Sequence, residues 1–151
     1  MQQTIEITRT SRKIVSQFLE NHSLEQLNKI PTGFNNNLIW NIGHIVVTQQ
    51  LLVYKLSGLP LMVSDQLVQR FSKGAKPEFE ATQADVDEIM TLLTKTIDQT
   101  IEDYENGIFK NFYEYPTSTG FILKNVEDAM VFNNFHEGLH IGIMMSLKKF
   151  V

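Results

Sequence analysis

The chain has 151 residues, 42% of them hydrophobic, and its 13 Lys+Arg against 17 Asp+Glu leave a formal charge of −4. A single domain over 1–151 buries roughly two-thirds of its unfolded surface at this length, enough for a core without staples. Only Arg9, Arg12 and Arg70 are arginines, which argues against a nucleic-acid partner, and no cysteine is present to form a disulfide, a thiolate metal site or a cysteine nucleophile.

Hydrophobic periodicity predicts four long helices. The first runs from Thr4 to Asn21 with Ile7, Ser11, Ile14 and Phe18 on its apolar stripe. Pro31 and Gly33 follow a short turn at 23–26. The second helix opens at the Asn35-Asn36-Asn37 run, where an Asn side chain can cap free N–H groups. Its stripe is Leu38, Ile42, Ile45, Gln49, Leu52 and Leu56, and Gly58 stops it. Residues 59–81 form a long connection with room for a short helix over 64–71. Thr82 and Asp85 are placed as a capping box for the third helix, whose stripe continues through Val86, Ile89, Leu93, Ile97, Ile101 and Tyr104 to a stop at Gly107. The last helix opens at Asn125 and runs to the C-terminus, with Glu127 and Asp128 suited to the positive end of its dipole. Phe121-Ile122-Leu123 is the one place for a short extended piece. Four helices with two long links describe an all-α four-helix bundle with long crossover connections.

No basic segment followed by an apolar stretch opens the chain, and no apolar run approaches the ~20 residues of a membrane span. The sequence therefore predicts a cytoplasmic protein with no membrane partner.

The four histidines carry most of the chemical information. His136 and His140 stand one helical turn apart in His136-Glu137-Gly138-Leu139-His140, so their imidazoles share a face and can grip one ion. Phe132, Asn133, Ile143 and Met144 flank them along that face, where two unpartnered rings would be costly. His-Glu-x-x-His is also the spelling of a zinc protease helix. Only eleven residues follow His140, none of them His, Asp or Glu, and no sheet is available to hold a peptide substrate. A third ligand therefore comes from upstream. His44, mid-helix in Trp40-Asn41-Ile42-Gly43-His44, is the candidate, and Gly43 beside it implies close packing or access. Three imidazoles from two helices would leave a divalent cation, zinc or nickel, with open positions for water or substrate. His22, at the end of the first helix, is read as structural or solvated. Trp40 precedes His44 by one turn and is expected near the helix crossing.

These motifs resemble those of a known family. Trp-x-x-Gly-His in the second helix, His-Glu-x-x-His-x-Gly at 136–142 and the four-helix layout are similar to the DinB-like superfamily over nearly the whole chain. The resemblance implies a divalent metal, usually zinc or nickel, on His44, His136 and His140. It also implies relatives that are metal-dependent transferases acting on low-molecular-weight thiols such as bacillithiol or mycothiol, and a homodimer. Many relatives carry Arg and then Gly-Gln after the last His; Ile141-Gly142-Ile143 stands here instead, so a basic residue for an anionic substrate is missing at that point.

The expected function is a metal-dependent enzyme of thiol S-transferase or hydrolase type, acting on a small molecule. The alternatives are a non-catalytic metal-binding or stress-response module and a plain helical interaction protein. No catalytic residue is assigned. Glu137, rotated about 100° from His136, is either a partner standing behind the ligands or a surface charge, and of these the surface, or a hydrogen bond to a neighbouring loop, is favoured. Tyr113, Tyr115 and Asn133 are candidate polar groups at the site, and Leu59, Leu61, Met62 and Val63 form an apolar link that could serve a dimer.

Overall fold

The computed structural model describes residues 1–151. Four long helices are joined by shorter pieces: α1 (Gln2–Glu20), α2 (Leu24–Asn28), α3 (Leu38–Val53), a 3-10 turn (Lys55–Ser57), α4 (Asp65–Phe71), α5 (Gln83–Glu105), β1 (Tyr115–Pro116), β2 (Ile122–Leu123) and α6 (Val126–Leu147). The fold is an all-α bundle of α1, α3, α5 and α6. The strands form one small antiparallel hairpin with Pro116 opposite Ile122.

The caps sit where polar residues meet apolar runs. Asn37 Oδ1 accepts from the Trp40 N–H at 2.9 Å, and Asn125 Oδ1 accepts from the Asp128 N–H at 2.7 Å. Thr82 and Asp85 form the expected capping box: the Asp85 N–H donates to Thr82 Oγ1, and the Thr82 N–H donates back to the carboxylate. Each of these bonds satisfies a backbone donor that the first helical turn leaves free. Gly58 and Gly107 take left-handed backbone at φ 70° and 64°, just past α3 with its 3-10 turn and past α5, as helix-terminating glycines do.

Two expectations about helix faces need correction. The buried side of α1 is Thr8, Arg12, Val15, Phe18 and Leu19, whereas Ile7 is exposed. The buried stripe lies one position on from Ile7, Ser11 and Ile14, because the fold buries a threonine and an arginine there. The helix α3 has no single stripe; 14 of its 16 residues are buried. It is the central element, and its buried residues, Asn41, His44, Gln49 and Gln50 among them, point in every direction around the helix axis. A third difference is small: α6 stops at Leu147, short of the terminus.

The main core gathers Val15, Leu27, Leu38, Ile42, Ile45, Ile89, Leu93, Met144 and Leu147, all at most 2% exposed. A second cluster of Val53, Tyr54, Leu123, Ala129 and Met130 closes the end near the hairpin. In the 59–63 link, Val63 is buried and Leu59, Leu61 and Met62 pack against these cores. The apolar link is thus mostly consumed within the chain. No helix is long and apolar enough to cross a membrane.

Candidate metal centre

The site lies where α3 crosses α6, and Gly43 explains how its third wall arrives. A Cβ on Gly43 would lie 2.5 Å from the Phe71 ring, so only glycine lets α4 press its last residue onto α3. That contact brings the Phe71 carbonyl to 2.6 Å from His44 Nδ1. A carbonyl only accepts, so Nδ1 carries the hydrogen and Nε2 keeps its lone pair, within 3.3 Å of Thr48 Oγ1.

His140 is oriented in the same manner. Asn41, fully buried on α3, donates its amide N–H to the Asn37 carbonyl (2.7 Å) and to Asn36 Oδ1 (3.1 Å). Its own Oδ1 is thereby turned to accept from His140 Nδ1 at 2.8 Å. His140 Nε2 is left as the free lone pair. Second partners of this type fix the tautomer and aim of a ligating imidazole.

His44, His136 and His140 converge. Their ring centroids are 5.1 Å (44–136), 4.7 Å (44–140) and 4.6 Å (136–140) apart, and one nitrogen from each lies within 4.8 Å of the others. His44 is buried and the other two are half-buried. Trp40 stacks on His44 at 4.7 Å and 11° and leans over His140 at 6.5 Å. The indole thus stands near the crossing, as its position one turn before His44 predicts.

All three rings are held neutral. Burial pushes His136 down to about 3, helped by His140, His44 and Arg12 nearby. Burial and then His44 lower His140 to about 4. His44 is lowered by burial, partly opposed by the Phe71 carbonyl and reinforced by Lys73. Neutral imidazole is the ligating form. His136 Nδ1 is also buried without a protein partner, an orphaned group that a buried site does not normally tolerate. The donor set, its protonation and this orphan all fit a divalent cation of the nitrogen-preferring kind.

The histidines open onto a cleft of about 570 Å³, whose walls include Leu52, Phe132, Phe135 and Leu139, and Tyr115 and residues 117–119 of the hairpin. Residues 7–144 match the family model described as the DinB superfamily. The chain belongs to the DinB superfamily. No curated protein matches it significantly.

Within this DinB-superfamily chain, several residues fall differently from the sequence reading. Glu137 is not at the surface. It is fully buried, with Oε1 accepting from Arg12 Nε (2.9 Å), from Arg12 Nη2 (2.8 Å) and from Asn133 Nδ2 (2.8 Å). The helical rotation from His136 points it toward α1 rather than into solvent. Asn133 therefore serves Glu137 and does not line the cleft, and Tyr113 lies outside the cleft lining with two-thirds of its surface exposed. Tyr115 does line the cleft. His22 is separate from the site, with Nδ1 at 2.9 Å from the Phe18 carbonyl at the end of α1. Arg12, Asn41 and the Phe71 carbonyl have no role that their sequence positions alone indicate. An arginine on the helical face that also carries Val15 and Leu19 is the available signal for the first; the other two depend on tertiary contact.

Proposed function

We propose that His44, His136 and His140 hold one divalent cation, zinc or nickel, and that the protein is a metal-dependent enzyme of thiol S-transferase or hydrolase type. The observation that carries this reading is the convergence of three neutral imidazoles on the wall of a cleft roomy enough for a small molecule. A structural ion is enclosed by four protein ligands, whereas three ligands facing open space suit a site that also takes water or substrate. Bound there, a cation would supply Lewis acidity, bringing the pKa of a ligated thiol or water toward neutrality.

The chain's own residues do the rest. The Phe71 carbonyl and Asn41 Oδ1 hold His44 and His140 in one tautomer each, with Nε2 unprotonated. Trp40 covers the His44 ring face, excluding water from that side and keeping the imidazole fixed. Phe132, Phe135 and Leu139 offer apolar surface to the non-reacting part of a substrate.

Elemental analysis of protein purified without a histidine tag, followed by thiol-conjugation and ester-hydrolysis assays on the metal-loaded form, tests both halves. Stoichiometric zinc or nickel with turnover that disappears on chelation is the expected result. Metal without turnover on any substrate would leave a metal-binding module and overturn the enzymatic reading.

A further inference from the structure

Charge is distributed unevenly between this cleft and the rest of the molecule. Acidic residues outnumber basic ones, 17 to 13, over the whole chain. The 19 residues that line the cleft include Lys55 and Lys73 but no aspartate or glutamate. The two lysines come from different elements, the 3-10 turn after α3 and the segment after α4. Both are exposed, and neither has a carboxylate within ion-pair distance, whereas Arg9, Arg12 and Arg70 are each paired with one. A concave, partly apolar wall concentrates the field of such unpaired cations on whatever enters.

We propose that the cleft recognises a small organic anion, a carboxylate or phosphate head on an apolar body, with Lys55 and Lys73 as the specificity-determining residues. The head meets the two ammonium groups, and the apolar body lies on Phe132, Phe135 and Leu139. As a statement about substrate this rests on the reading of the cleft as a metal-enzyme site. The lysine–anion interaction itself does not require the ion.

Calorimetric titration tests it with three probes, on metal-free and on zinc-loaded protein. 4-Phenylbutyrate and phenyl phosphate distinguish the two head groups; 4-phenylbutyramide keeps the apolar body without charge. At least one anion binds more tightly than the amide in both forms, and added salt weakens it. Lys55→Gln and Lys73→Gln each weaken that anion by about fivefold, and the double variant by on the order of twentyfold, as expected for partly solvated charge pairs. Lys95→Gln, on an exposed position of α5, leaves binding unchanged. An anion preference that is absent, or that survives intact in the double variant, overturns the proposal even if zinc binds. Conversely, lysine-dependent anion binding in a protein that takes up no zinc would sustain it while the metal reading fell.

Discussion

Arg12 and Glu137 form an ion pair between α1 and α6 with both side chains inside the protein, 4% and 0% exposed, and an N–O distance of 2.8 Å. Glu137 directly follows His136, so the pair fixes the rotation of α6 that turns His136 toward α3. Two of the three Arg12 guanidinium nitrogens, Nε and Nη2, and the Asn133 amide converge on one oxygen, Oε1, leaving Glu137 Oε2 and Arg12 Nη1 without partners. Such a pair costs desolvation to form but far more to break singly.

Glu137→Leu is therefore expected to lower stability by roughly 3–5 kcal/mol, because it strands a buried guanidinium. The double variant Arg12→Met with Glu137→Leu should lose much less than Glu137→Leu alone. Urea unfolding of the wild type, both single variants and the double variant measures the coupling. Simple additivity of the two single losses would contradict the account.

The metal-free protein should lose stability as pH falls below the ordinary histidine pKa of about 6.5. In the unfolded chain all three rings take up protons near that value. In the folded state His136 and His140 resist until about 3 and about 4, and His44 is lowered in the same direction. The unfolded state thus binds more protons between those limits. Stability is fully retained above 6.5 and declines toward the folded-state values. The slope is about 1.4 kcal/mol per pH unit for each ring protonated only when unfolded. Urea midpoints between pH 7.5 and 5 check this; a flat profile, or one unaltered by His136→Ala, would be inconsistent with it.

Two glycines should respond in opposite directions to alanine. At Gly43 the added methyl meets the Phe71 ring, and overpacking of this kind costs roughly 1–3 kcal/mol. At exposed Gly138 nothing lies within 4 Å of the added atom, and alanine in a helix interior gains up to about 1 kcal/mol over glycine. Thermal unfolding of Gly43→Ala and Gly138→Ala should bracket the wild type. Equal effects would mean that the Phe71 contact does not govern Gly43.

Most of the bundle was legible because the local rules agree with one another. The caps at Asn37, Thr82 and Asn125, the glycine stops at Gly58 and Gly107, the short helix near 64–71 and the extended piece at 121–123 all follow from neighbouring residues. The i, i+4 spacing likewise put His136 and His140 on one face. What escaped depends on tertiary contact. Glu137 reads as a surface charge until Arg12 is known to face it across the helix interface. Asn41 looks like one more polar residue after an asparagine run until its amide is seen to turn Oδ1 toward His140. Lys55 and Lys73 are 18 residues apart in sequence, and only the packing of α4 on α3 brings them to the same cleft.

Asn41→Ala removes the acceptor for His140 Nδ1 while leaving all three histidines in place. Loss of such an orienting partner typically costs 10- to 100-fold in affinity, so roughly that weakening of zinc binding is expected. Competition titration against a chromogenic chelator reads it directly. Unchanged affinity would show that Asn41 does not orient the ring.

The most direct measurement is zinc titration of metal-free wild type and of His44→Ala, His136→Ala, His140→Ala and His22→Ala by the same chelator competition, with circular dichroism confirming the helical fold of each. The account predicts one zinc per chain in the wild type and in His22→Ala, and severe loss of affinity in each of the other three. Full stoichiometry and unaltered affinity in a folded His44→Ala protein would contradict a site shared between α3 and α6.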